Sequence, residues 1–423
     1  MNKRTFKQRI AYVLALVMML SVCNNVWATE LQNQMAYNES VTNGQTTTSS
    51  AIQEGEDTNL TTEQGIHIIK TEEELKAVGE HLDWEYQLAN DIDLEGEEWI
   101  PIGSEDTPFT GAFDGNGYEI SNFQINQEDE ANIGFFGVAE DVELINIKLS
   151  KYEIVGADYT GALVGKLTGE DNLIKKCQFI KGKISGETNV GGITGYMENT
   201  TLSQSYVTGS VTGGYYIGGI VGMSKYNKIT NVFNLSDVSG NNYVGGIIGK
   251  STATTTLENS YAAGAVSGQS STIGGLYGQD KKITVTNCYY DQIASTLTAN
   301  TDESRLTAEL RREATYENWD FNTIWDIDED VTYPYLYELE KPDGIEKEVT
   351  IQGSGTEADP YIIRTTEQLL QINNNLGAHY KLGDDIDLGS MTWTPLGTTS
   401  MPFTGTFDGD EHTISNFVIN DSL

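Results

Sequence analysis

A five-residue glycine-rich signature returns at intervals of 27 to 30 residues, and this period constrains the fold more than any other feature of the chain. It reads Gly161-Ala-Leu-Val-Gly165, Gly191-Gly-Ile-Thr-Gly195, Gly218-Gly-Ile-Val-Gly222, Gly245-Gly-Ile-Ile-Gly249 and Gly274-Gly-Leu-Tyr-Gly278. Ile133-Gly-Phe-Phe-Gly137 stands one period earlier as a divergent first member. After each signature an apolar residue precedes an aromatic by four: Leu202 and Tyr206, Ile229 and Phe233, Leu257 and Tyr261, Val285 and Tyr289. The first repeat departs from this, with Ile174 five before Phe179, so a bulge or slip is expected there. Small turns such as Gly209-Ser-Val-Thr-Gly213 and Gly264-Ala-Val-Ser-Gly268 close each unit.

A fixed period of this length, with short β-type runs, is the sequence form of a solenoid whose coils bury their apolar faces only by stacking. Glycine is unfavourable inside a strand, so aligned glycines argue for a column where backbones approach closely or a corner bends. The expectation is an all-β fold, a right-handed parallel β-helix of about six rungs over 61–292, with the signature repeats at 133–292.

A second regularity is a duplication. Residues 68–126 align without a gap on 362–420, and about half the positions are identical. Tyr86 to Leu94 matches Tyr380 to Leu388, and Pro108 to Gly115 matches Pro402 to Gly409. Each copy opens on a predicted short helix. Thr71 with Glu74, and Thr365 with Gln368, fit a capping box, and Leu75, Val78 and Leu82 recur as Leu369, Ile372 and Leu376 on one face. Turn signals such as Asp114-Gly-Asn-Gly117 separate the strands that follow.

Past Asp291 the rhythm breaks. Leu306 to Tyr316 reads as a short helix, and Trp319, Trp325, Tyr333 and Tyr335 suit a cap over 293–337 for the open end of the solenoid. Residues 338–360 read as a linker, and 361–423 as an incomplete second copy of the leading module.

At the other end, Lys3, Arg4, Lys7 and Arg9 precede an apolar run from Ile10 to Cys23, and Val26-Trp-Ala28 offers a cleavage site. The run is shorter than the roughly 20 residues of a spanning helix. Residues 1–28 are thus expected to be a signal peptide, with Cys23 as an alternative lipoprotein site, and 29–60 a disordered polar spacer. Cleavage would take the formal charge from −37 to about −41, because four basic residues leave. Such a chain repels polyanions, which argues against nucleic acid and bare anionic membrane as partners and leaves Ca²⁺ as a possible ligand. Cys177 and Cys288 should lie about four rungs apart, on the order of 19 Å at the usual strand spacing, too far to pair.

The signatures from Gly161 to Gly278, with trailing segments such as Asn259-Ser-Tyr261, resemble the GLUG motif of bacterial surface and secreted proteins. Asp91-Ile-Asp-Leu94 and Phe113-Asp-Gly-Asn-Gly117 look like the modules that precede it. The resemblance covers most of the chain from about Gly65 onward. It implies an extracellular repeat region of adhesin-like proteins, or an accessory part of larger enzymes, including IgA-specific metallopeptidases. The chain departs from an ordinary unit by stopping at Leu423, before a second set of signatures, so a fragment of something longer is expected.

Few residues suggest chemistry. A zinc peptidase would need His-Glu-x-x-His on one helix face. The histidines are His67, His81, His379 and His412, none within four residues of another, and they read as solvated or turn residues. A polysaccharide lyase would need a base such as arginine, and no arginine stands between Thr61 and Ser304. The carboxylates that recur in both copies are Asp91 and Asp93, Asp385 and Asp387, and Asp114 and Asp408. Asp91 and Asp93 could share a Ca²⁺, but two ligands fall short of six to eight, and turn carboxylates are the simpler reading. The column Tyr206, Phe233, Tyr261 and Tyr289 would stack sugars if it faced outward and would pack a core otherwise. No catalytic, cofactor or metal residue is assigned. The expected function is a non-catalytic extracellular scaffold, secreted or at the bacterial surface, with proteins or glycans as partners. The alternatives are an accessory region of a larger secreted peptidase or carbohydrate-active enzyme, and a β-helix polysaccharide enzyme.

Overall fold

A computed structural model describes residues 65–269, 272–279, 282–297, 303–345, 351–393, 395–397, 399 and 402–419. The expected signal peptide at 1–28 and spacer at 29–60 lie outside the described residues.

The chain is all-β apart from short helical turns, and it winds as a parallel β-solenoid. The first stack begins with His67–Ile69, Glu85–Leu88, Ala112–Asp114, Glu143–Ile145 and Asn172–Lys175. It continues through the start of Thr200–Thr212, then Lys228–Asn234, Thr255–Glu258 and Ile283–Thr286. All these pairings are parallel, and each step advances one rung. Two further parallel sheets, of five and six strands, close the coil.

This stack holds nine strands where the glycine signatures suggest about six rungs. The leading module lacks the signature yet winds into the same coil, and the parallel β-solenoid comes to roughly 11 turns. Successive side chains at one position form columns inside the coil. Leu144, Ile174, Leu202, Ile229 and Leu257 are each fully buried, each worth about 1.5–3 kcal/mol of transfer free energy. Backbone donors buried at the corners find side-chain acceptors: Asn227 Oδ1 for Thr200 N–H, Ser205 Oγ for Cys177 N–H and Ser260 Oγ for Val232 N–H.

The predicted slip between Ile174 and Phe179 is absent. Ile174 pairs with Leu202 and Gln178 with Tyr206 in unbroken register, and the irregularity falls between Phe179 and Gly182. Gln178, not Phe179, therefore takes the aromatic position, while Phe179 packs inside the coil.

The helix α1, Glu72–Lys76, carries the predicted capping box, with Thr71 and Glu74 bonding each other's backbone N–H. In the second copy, α2, Thr366–Leu370, starts the same way: Thr365 Oγ1 accepts from Gln368 N–H, and the Gln368 side chain accepts from Arg364 N–H. Its strands Tyr361–Ile363, His379–Leu382 and Thr406–Asp408 again stack in parallel, over a core that includes Ile363, Leu369, Ile372 and Tyr380.

The predicted helix over 306–316 does not form. One bond from Leu310 N–H to Leu306 O is made, but Arg312 N–H then turns to Glu309 O, and the Thr315 and Tyr316 hydroxyls donate to Glu309 O and Leu310 O. Only a 3₁₀ turn at Glu313–Thr315 results.

Candidate binding groove

On three consecutive rungs one corner of the coil turns through a single residue in the left-handed region. Asn122, Lys151 and Lys181 hold this corner on consecutive rungs, at φ of 56°, 52° and 54°. Asparagine adopts that conformation with little penalty, whereas lysine is held there against its preference. The next residues are Phe123, Tyr152 and Gly182. The rings of Phe123 and Tyr152 stack 5.5 Å apart, 24° from parallel, and both are buried. A Cβ on Gly182 would fall on the Tyr152 ring, so only glycine fits.

The bend leaves a groove of about 530 Å³ lined across four rungs by Asp93, Asn122, Lys151, Glu153, Lys181 and Lys183, with Glu95 and Gln124 beside them. Three lysines face three carboxylates, so its charges balance within a chain of net charge −37. Asp93 accepts from Glu95 N–H at 2.9 Å and from the Asn122 amide at 2.9 Å, and these bonds hold its carboxyl below the usual range. Lys181 contacts Asp343 at 2.7 Å, and Lys183 stands 3.9 Å from Glu153. The ring of Tyr152 packs in the core of the coil in the space that Gly182 leaves; its hydroxyl is buried with no hydrogen-bond partner, and burial pushes this phenol well above its usual range.

Of the residues singled out from sequence, only Asp93 lines this groove. Asp91 accepts from Glu119 N–H, and its counterpart Asp385 accepts from Thr413 N–H, both at 2.8 Å. Asp387 accepts from the Asn416 amide as Asp93 does from Asn122. Asp114 accepts from Asn116 N–H, Gln87 and Asn146, and Asp408 from Asp410 N–H. These carboxylates tie turns and neighbouring rungs. Among the described residues no three His, Cys, Asp or Glu side chains gather as a metal site would require. His67 and His81 sandwich Trp84 at 3.8 and 3.6 Å, His379 bonds Thr406, and His412 stands 3.4 Å from Asp385.

The aromatic column packs a core, but that core lies outside the coil. Tyr206 stacks on Phe233 at 4.8 Å and Phe233 on Tyr261 at 5.2 Å. Where the sequence suggests an end cap over 293–337, Ser304–Arg305 adds a strand to the last rung and the chain then doubles back along this column as a lateral strap. Trp319 donates to Asn287 O, Trp325 to Asn231 Oδ1, and Tyr261 to Pro334 O. Residues at the start of the expected linker belong to the strap: Glu338 pairs with Lys176, Glu340 with Lys148, and Asp343 with Lys181 at the groove.

Sequence reasoning missed Lys151, Tyr152 and Lys181. The available signal was the alignment of Asn122, Lys151 and Lys181 at the rung period, with closely spaced lysines unusual in so acidic a chain.

The class of fold is a parallel β-solenoid with a strapped lateral face. No protein-family profile matches the chain. Over 132 residues, 28% of the chain, it is 30% identical to halomucin of Haloquadratum walsbyi, covering 1% of that protein. Over 119 residues, 26% of the chain, it is 36% identical to a protein of Evansella cellulosilytica provisionally named a Gly-rich membrane protein, covering 14% of it. The chain thus spans a small part of either relative. A crystal structure of a proposed immunoglobulin A1 protease from Bacteroides ovatus is similar over 66% of this chain and 94% of that one, at a TM-score of 0.42 and 17% identity. Among the described residues no helix is long and apolar enough to cross a membrane.

Proposed function

We propose that the chain is a non-catalytic extracellular scaffold, secreted or held at a bacterial surface, that binds macromolecules through the outer side of its rungs. In this reading the glycine signatures are of GLUG type and residues 1–28 are a cleaved export signal. The observation that carries it is the groove on the outer side of the coil, where Lys151, Lys181 and Lys183 face Asp93, Glu95 and Glu153 across consecutive rungs of a strongly acidic chain. The names of the two relatives, a mucin-like protein and a membrane protein, are in keeping with a surface role. The carboxylates repeated in the two copies already bond backbone and amide groups, which is structural rather than acid–base work.

The test is an array of extracellular proteins and glycans probed with the purified chain, with and without Ca²⁺. Saturable binding to at least one class is expected. Absence of binding throughout would contradict the proposal.

A further inference from the structure

We infer that Lys148, Gln178 and Tyr206 form a docking site for an extended acidic peptide of a partner protein, and that residues 337–344 of the strap fill it in cis. The inference deepens the scaffold reading above, on which it rests, by naming the partner's chemistry and the contact that guards the site.

The site holds one residue of the strap by its backbone and its side chain together. Glu340 N–H donates to Gln178 Oε1 at 3.2 Å, the Tyr206 hydroxyl donates to Glu340 O at 3.0 Å, and Lys148 Nζ lies 2.5 Å from the Glu340 carboxylate. Gln178 and Tyr206 are themselves buried, and the Tyr206 ring is fixed by its stack on Phe233, so both polar ends are preset. This accounts for glutamine at a rung where the column would otherwise carry a ring: its amide oxygen takes up a peptide N–H. Side chains, rather than a paired strand, bond both backbone groups of Glu340. Any extended chain with a glutamate at this point presents the same three groups. A backbone of phosphates offers no donor for Gln178 Oε1, and a buried acceptor left unbonded is costly.

The flanking charges extend the pattern. Lys176 pairs with Glu338, and Lys181 with Asp343 at 2.7 Å, so lysines match carboxylates two residues before and three after Glu340. Seven of the 25 lysines and arginines stand between Lys148 and Lys183, against Glu153, Asp158, Glu170 and Asp171. These rungs are thus locally basic in a chain of net charge −37, and they draw an acidic segment that the rest of the surface repels.

The cis segment can lift without loosening the strap. Tyr333 N–H donates to Ile345 O at 3.3 Å and Ile345 is buried, so 337–344 is an arc closed at its base. The rings of Trp319 and Trp325, packed on Tyr261, hold the rest of the strap without it. The side chains of Glu338, Glu340 and Asp343 are 52%, 60% and 81% exposed. Ion pairs so exposed contribute little, and a partner's carboxylates exchange with them.

The experiment measures, by fluorescence anisotropy, the binding of a labelled synthetic peptide of residues 335–345 to the full chain. The wild type is compared with a triple variant, Glu338→Gln, Glu340→Gln and Asp343→Asn, in which the cis contact is weakened. The variant should bind at least about tenfold more tightly, because an intramolecular competitor acts at an effective concentration on the order of millimolar. Raising salt from about 0.05 to 0.5 M should weaken that binding. Adding Lys148→Met or Tyr206→Phe to the triple variant should weaken it about tenfold or more. In the wild type, with no substitution needed, hydrogen exchange should open 337–344 before 319–336. Equal affinity of wild type and triple variant would overturn the inference, as would absence of binding to both. Equal binding of a peptide with its three carboxylates made amides, or exchange of the two segments together, would overturn it too. Capture of proteins or glycans on the array alongside any of these results would leave the scaffold function intact.

Discussion

The ring of Phe233 lies flat on that of Tyr261, 5.2 Å between centroids and 4° from parallel. Both belong to the outer side of the coil, and Trp325 from the strap closes over them at 6.0 and 6.2 Å. The strap is therefore held by rings more than by backbone pairing, and Trp325 is its largest fully buried side chain, with 1% exposure. Trp325→Ala should cost about 3–5 kcal/mol of strap attachment. Limited proteolysis should then cut first within 306–345 and leave the rungs whole. A cleavage pattern like that of the wild type would count against the strap as described.

Gly249 tests the close approach of neighbouring rungs. A Cβ there would fall 2.5 Å from the carbonyl carbon of Tyr216 and 2.6 Å from Ile217 N, and backbone on both sides leaves no room to yield. Gly249→Ala should destabilise by at least about 1–3 kcal/mol. Gly79, in the first 3₁₀ turn with open space around it, should instead gain about 0.4–1 kcal/mol as alanine. Denaturant unfolding of the two variants gives opposite signs if the stacking is right.

Both cysteines should be silent. Cys177 and Cys288 are buried and free, and burial pushes each thiol up to about 12, so little thiolate exists near neutral pH. Iodoacetamide should label neither in the native chain and both after denaturation, as intact mass would report.

Acid should loosen the strap before the coil. A hydrogen bond from Lys181 holds the Asp343 carboxyl below its ordinary value. Glu119, despite the burial that works against its ionisation, is held below its own by Ser150 and Lys148, and Lys148 also grips Glu340 of the strap. A depressed carboxyl contributes stability above its unfolded value, near 4, and loses it as pH falls further. Lys148 and Lys181 are raised, so their share is complete below about pH 10 and is lost only above it. Tryptophan fluorescence should shift to the red below about pH 4, and Lys148→Met with Lys181→Met should flatten that shift.

Much of this architecture is legible in the residues. The glycine period gives the coil, Thr71 and Glu74 give the first helix, and the matched pairs Asp91 with Asp385 and Asp93 with Asp387 already indicate a structural role repeated in both copies. The side of the coil on which the aromatic column lies is not legible, because Tyr206 and Val207 are both apolar and alternation cannot choose between them. Gln178 hid the fifth position of that column by being polar, and Phe179 offered a false match one residue away. The expected coil spans 61–292, but the rungs of its leading part escape the count because they lack the signature. Leu306 and Leu310 have helical spacing, yet Arg312 N–H turns to Glu309 O and the helical ladder stops. The groove depends on a left-handed corner, which lysine does not announce.

The most direct test of a binding scaffold without chemistry is to incubate the purified chain with each ligand it retains from the array and follow products by mass spectrometry. Saturable binding with ligand mass unchanged over extended incubation is the expected result. New reducing ends or new peptide termini, produced in proportion to the amount of chain and without any added enzyme, would contradict it.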